Sequence, residues 1–238
     1  MVKRYVEEKN NIGDIEMFNL LSEINDFSNN ENIPYAIVGG LGIQAQLTDL
    51  LTNPEYVGVT FDSIRSIKEI LPTSIYRNTE DIDVVFLTED SDTVLSSKLE
   101  RHLRETYSQN IRSEPKFLVT ENRNKKIRIQ LASTAEKYRG FSDDLFRYQV
   151  DTADTLKLPY DHRGSKRSTE LVVPKKEVLI LPKLSRVSDT DLVDLNELIR
   201  LASARDPIDV QEVRSLAKAY SDNPDIIIGN LERIIKLN

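Results

Sequence analysis

The chain has 238 residues, enough for one large domain or a domain with a helical appendage. Its 39% hydrophobic and 30% charged residues suit a soluble globular protein and exclude a disordered one. No apolar run approaches the ~18 residues of a spanning helix, the absence of Cys excludes disulfides and thiolate chemistry, and a net charge of −7 disfavours a wide grip on nucleic acid.

Residues 1–13 are polar and read as a frayed or loosely docked end. Met1 to Tyr5 lead into acids rather than an apolar signal region, which places the expected protein in the cytoplasm, with no membrane partner. Over 14–27, Ile15, Phe18, Leu21, Ile24 and Phe27 recur at three-residue steps, an amphipathic helix with Asp14 as its expected N-cap. Asn29, Asn30 and Asn32 form a polar turn. Then Tyr35-Ala36-Ile37-Val38 reads as a strand that ends in Gly39-Gly40. A helix over 41–51 should open at those glycines, which let backbone approach closely and leave helix N–H groups open to a phosphate.

The stretch 52–76 follows as extra chain. Its second half, 62–71, has helical spacing, capped at Asp62 or Ser63 and stopped by Pro72. Such a segment is either a lid or partner surface beside a site, or a helix packed on the domain. Next, Arg77-Asn78-Thr79-Glu80-Asp81-Ile82-Asp83 runs into the apolar Val84-Val85-Phe86. Strand side chains alternate, so Asp81 and Asp83 point the same way. Neighbouring carboxylates repel unless a cation neutralises them. Oxygen ligands of this kind suit Mg²⁺, usually shared with substrate phosphates.

The order of Val38-Gly39-Gly40, a helix, then Thr79-Glu80-Asp81-Ile82-Asp83-Val84-Val85 resembles the nucleotidyltransferase superfamily, and most closely its minimal, AbiEii-like branch. The resemblance implies an α/β (α+β) fold: a mixed β-sheet flanked by helices, with a C-terminal helical segment. It implies two Mg²⁺ ions held by Asp81 and Asp83 and an NTP such as ATP as substrate. Phosphates would lie at Gly39 and Gly40, with Arg77 and Thr79 beside the acids. The extra chain at 52–76 departs from compact members of the family.

A helix is expected over 92–107, with Leu95, Leu99 and Leu103 on one stripe. His102 on that helix reads as a surface or edge residue rather than a ligand. Segments 116–120 and 126–131 alternate like a hairpin around Asn122-Arg123-Asn124. In the family, a third carboxylate stands on the strand after the acid pair. Here the matching strand reads Ile127-Arg128-Ile129-Gln130-Leu131, and Gln130 fills that position. An amide oxygen can meet a metal but brings no charge and cannot act as a base. The departure implies an altered mechanism, another donor such as Glu121 or Asp151, or a degenerate site.

Residues 135–148 read as helical or irregular, and 161–167 as a basic surface turn holding His162. The segment 170–174 reads as a short strand. Beyond it, Lys183, Asp191 and Asp194 fall where the family's minimal branches carry a Lys and an Asp-Leu-x-Asp-Leu run. Two readings stand open. Lys183 binds the triphosphate, or Lys183 and Asp191 form an internal ion pair. Over 189–238 three helices are expected, the second started by Pro207 and the third by Pro224.

The expected domains are a nucleotidyltransferase-like unit over 1–182 and a helical segment over 183–238 packed on it. The function implied is transfer of a nucleoside monophosphate from an NTP to an unidentified hydroxyl acceptor: RNA, protein or small molecule. RNA is disfavoured by the charge. The alternative is a catalytically degenerate relative that binds nucleotide or a protein partner as a toxin–antitoxin-like regulatory module. Under either reading the partners include another protein or a second copy of the chain as a homodimer.

Overall fold

A computed structural model describes residues 2–52, 81–108, 110–114, 117–122, 125–135, 140–142, 144–162 and 165–237. The expected helix over 62–71, and Arg77 and Thr79, lie outside the described residues.

The architecture is mixed α/β. A five-stranded sheet has the order β1-β2-β5-β4-β3, with β1 Tyr35–Val38, β2 Asp81–Phe86, β3 Ile111–Glu114, β4 Phe117–Asn122 and β5 Lys125–Ser133. The β2–β5 pair is parallel and the other pairs are antiparallel. Around it lie helices α1 Val2–Glu31, α2 Gly39–Thr52, α3 Asp92–Thr106 and α4 Asp144–Asp151. A two-stranded hairpin follows, β6 Ala153–His162 and β7 Ser165–Pro174. The chain ends with α5 Lys176–Arg186, α6 Asp189–Ser203, α7 Val210–Tyr220 and α8 Pro224–Leu237. Among the described residues, no helix is long and apolar enough to cross a membrane.

Alternation along β2 sets the layering. Ile82, Val84 and Phe86 are buried and join Ile37, Ile129, Phe27 and the Leu95, Leu99, Leu103 stripe of α3 in the main core. The Phe27 ring meets Phe86 edge-on, with centroids 5.7 Å apart. The same core continues into α5 through α8 via Leu181, Leu198, Leu216 and Leu231. The expected boundary at residue 182 falls inside α5, in the middle of a run buried from Lys176 to Leu184.

Several elements differ from expectation. Helix α1 begins at Val2, so Asp14 is an interior residue and not an N-cap. Lys3, Arg4, Glu7, Glu8 and Lys9 are good helix formers, and Gly13 costs about 1 kcal/mol without ending the helix. The basic turn over 161–167 is narrower than its composition suggested. Strands β6 and β7 pair in continuous register from Ala153↔Pro174 to His162↔Ser165. Leu156 stands opposite Leu171 on that ladder, and Lys157 is opposite Glu170 with an exposed ion pair of 3.6 Å. Helix α7 starts three residues after Pro207, because the Asp209 side chain accepts from the Gln211 and Glu212 amides and caps it. Helix α8 does start at Pro224.

The core assignment of α3 is testable. Leu99→Ala removes a fully buried side chain between α3 and the sheet. It should lower stability by about 2–5 kcal/mol in urea denaturation, with the cavity term setting the place in that range.

Candidate active site on the open face of the sheet

Because Ile82 and Val84 enter the core, Asp81, Asp83 and Val85 share the opposite face of β2. Among the described residues, that face is covered at one end. Phe146 and Val150 of α4 pack on Val85 and on Ala36 of β1. The Asp81 end is left partly accessible, and so is Asp83. The register places Val38 and Gln130 on either side of Asp83, and Arg128 beside Asp81. Gln130 thus stands next to the second acid, and it is exposed.

One residue after Val38 the chain turns. Gly39 has φ +64° and is the first residue of α2. A Cβ built on it would lie 2.0 Å from Asp83 Oδ2 and 2.8 Å from Asp83 Cγ. The carboxylate therefore rests against bare backbone, in a space that only glycine leaves. The α2 N-terminus, whose first N–H groups have no partner within the helix and which carries the positive dipole end, opens at that same point. Gly40, the next residue, is buried in the first turn. The close approach is not readable from Gly-Gly alone. It follows from Val38↔Asp83 pairing, which brings strand end and acid together.

Asp81 is engaged by a residue that sequence reasoning did not single out. Arg128 Nε donates to Asp81 Oδ1 at 2.6 Å and Nη2 donates to Oδ2 at 3.1 Å, a bidentate pair. Both side chains are about two-fifths exposed, at 42% and 41%. The guanidinium also lies over the Phe117 ring, 5.7 Å from its centroid. Arg128 lies two residues before Gln130, so strand alternation was the available signal. Its partner required knowing the β2–β5 register.

The charge pattern continues across the outer strands. Lys126 reaches Glu114 at 3.3 Å, and Arg112 reaches Glu114 at 3.1 Å and Glu121 at 2.9 Å. Glu121, one alternative donor, is thus paired with Arg112. Among the described residues, no group of three or more His, Cys, Asp or Glu is placed to hold a metal ion. The oxygen donors that the register brings together on this face are Asp81, Asp83 and the Gln130 amide.

Lys183, Asp191 and Asp194 form a separate cluster. Lys183, 2% exposed, donates to Asp191 at 3.0 Å and to Asp194 at 2.7 Å, which fastens α5 to α6. Arg186 adds bonds of 2.8 and 3.1 Å to Asp191. Ser188 and Asp191 complete a capping box at the start of α6. The internal ion pair expected as one of two readings is therefore present, with a second acid in it. His102 sits at the α1–α3 contact, its ring 5.7 Å from Phe27 and Nε2 3.4 Å from Glu23.

Two outcomes test this geometry. Gly39→Ala should cost more than ~1 kcal/mol, since both the positive φ and the contact with Asp83 oppose a side chain. Combining it with Asp83→Ala should recover part of that loss in a double-mutant cycle followed by urea denaturation. The second concerns pH. Burial alone would raise the Asp191 pKa, but hydrogen bonds from Arg186, Ser188 and Lys183 outweigh it and hold the carboxyl well below its usual range. A carboxyl depressed in the folded state stabilises the fold above its unfolded pKa of about 4 and loses that contribution as pH falls further. Asp191→Asn should therefore flatten the fall in stability below about pH 4, measured by denaturant titrations across the acid range.

No protein-family model matches the sequence, and no curated protein matches it. Among solved structures, the chain is similar to an antigenic nucleotidyltransferase-like protein from Paracoccidioides brasiliensis, at 16% identity over 94% of each chain and a TM-score of 0.48. It is similar to the solution structure of the antibiotic-resistance factor ANT(2'')-Ia at 14% identity, covering 94% of this chain and 95% of that one, with a TM-score of 0.44. The crystal structure of ANT(2'')-Ia in complex with adenylyl-2''-tobramycin gives 14% identity, 91% and 98% coverage, and a TM-score of 0.43.

Proposed function

We propose that the open face of the sheet binds a nucleoside triphosphate and transfers its nucleoside monophosphate to a hydroxyl acceptor. The observation that carries the reading is the seat of the Asp83 carboxylate against Gly39, at the first turn of α2. A hard-cation ligand and a set of helix N-terminal amides meet there. Amides at such a terminus suit phosphate oxygens. Asp81 and Asp83, with the Gln130 amide, form an oxygen donor set that suits Mg²⁺, an ion that takes one or two carboxylates and completes its shell with water and phosphate. When bound, the ion supplies neutralisation of phosphate charge.

The rest falls to the chain. The first turn of α2 orients the phosphates, with Arg77 and Thr79 as further phosphate ligands on sequence grounds. The acceptor oxygen bonds to the α-phosphorus, the bond to the bridging oxygen breaks, and pyrophosphate leaves. Gln130 cannot accept the acceptor's proton, which therefore passes to Asp83 or to water. In this reading Lys183 and Asp191 serve the fold, since the Lys183 ammonium is buried between two carboxylates. Within the superfamily, the Lys183 and Asp-Leu-x-Asp-Leu region supports the AbiEii-like branch.

A second reading has its own observations. Gln130, which the resemblance places where the family carries a third acid, is in direct register with Asp83, and Arg128 pairs with Asp81. Both favour a module that binds nucleotide without turning it over. One experiment separates the two. Mg²⁺–NTP should raise the melting temperature of the wild type, and Asp83→Asn should abolish that shift. Incubation with α-labelled NTP and candidate acceptors then reads transfer, which Gln130→Asp should increase. Binding without transfer supports the module, and absence of any Mg²⁺–NTP effect overturns both readings.

A further inference from the structure

The proposed function gives Asp81 a cation to hold, yet the structure already gives it one. Arg128 closes two donors, Nε and Nη2, on the two Asp81 oxygens, and β2–β5 backbone pairing holds the two residues side by side. Phe117, opposite Gln130 on β4, lies under the guanidinium, its ring centroid 5.7 Å from Arg128 Cζ. A bidentate arginine is a direct competitor for a divalent ion, because it uses the same oxygens and carries a fixed charge at any physiological pH. The pair is also partly exposed, so its strength is of the modest surface kind, and a better anion can break it.

We propose that Arg128 is a nucleotide-binding residue that sets the order of binding on this face. Closed on Asp81, it holds the acid pair at low affinity for a free divalent ion. The triphosphate competes with Asp81 for the guanidinium, and the ion enters together with the nucleotide. Arg128 then pairs with phosphate oxygens, which a guanidinium matches as well as it matches a carboxylate. The inference rests on the proposed nucleotide site. It adds that Asp81 is available to metal only when Arg128 has another anion.

The test uses the full chain and Mn²⁺ as an electron-spin-resonance probe in place of Mg²⁺. Free Mn²⁺ is titrated first without nucleotide. The wild type should bind it weakly, and Arg128→Met should bind it at least tenfold more tightly. Arg128→Lys, which keeps charge but loses the fork, should fall between them. Asp81→Asn in the Arg128→Met background should remove the gain. Mn²⁺–ATP is titrated next. There Arg128→Met should weaken binding, because the phosphates lose a partner. Equal or weaker Mn²⁺ affinity in a folded Arg128→Met protein overturns the inference. The nucleotide site is checked separately: loss of Mn²⁺–ATP binding in Asp83→Asn keeps it standing even when the Arg128 result is negative. Unchanged Mn²⁺–ATP binding in Asp83→Asn overturns the site and the inference together.

Discussion

The site depends on a single close approach, the carboxylate of Asp83 against the backbone of Gly39. Everything else on the open face is arranged by what makes that approach possible. Strand β1 must end where β2 presents its second acid, so Val38 and Asp83 must pair. The chain must then turn with a positive φ and start α2 without a side chain in the way. A sheet buried on one face fixes this register strongly, since a one-residue slip would turn Ile82 and Val84 out and draw both acids into the core. The burial that stabilises the fold is thus also what aims the carboxylates.

Charge on the open face is organised by the same ladder. Arg128 beside Asp81, and Arg112 and Lys126 near Glu114, alternate in sign across neighbouring strands. These pairs are partly exposed and contribute modestly to stability. Their larger effect is local: they set which carboxylate oxygens already have a cationic side chain beside them. The buried Lys183 cluster differs in kind. Desolvated charges there are tolerated because each carboxylate of the pair meets an ammonium at hydrogen-bond distance, and breaking one side would leave an uncompensated ion inside. One set of charges is partly exposed to solvent, while the other joins two helices.

Much of this was legible in the residues because periodicity was strong. The Leu95, Leu99, Leu103 stripe, the alternation through Asp81 to Phe86 and the C-terminal helices were all readable from burial patterns. The first half of α1 was not, because its polar composition hides good helix propensity. The β6–β7 hairpin was obscured by a basic cluster of which Lys166 and Arg167 in fact lie on β7. Strand β3 is only four residues long, with one side chain fully buried, too short for a pattern to show. The Asp81–Arg128 pair lay beyond any local reading, since its partners are 47 residues apart and meet through strand register alone. Lys183 sits eight and eleven residues from its acids, across the turn between two helices, so spacing left its role open between ligand and ion pair.

The parallel pairing of β2 with β5 also has a consequence during synthesis. Helix α3 and strands β3 and β4 lie between them in the chain, so β2 waits for its inner neighbour until those elements have left the ribosome. At roughly 5–20 residues per second that interval lasts several seconds. Throughout it β2 is an edge, with one row of backbone groups open to pairing with another chain. Two acids at its first and third positions oppose such pairing, because a second copy laid alongside brings like charges close. The same carboxylates that share one face of the finished sheet guard the unfinished sheet against its own siblings.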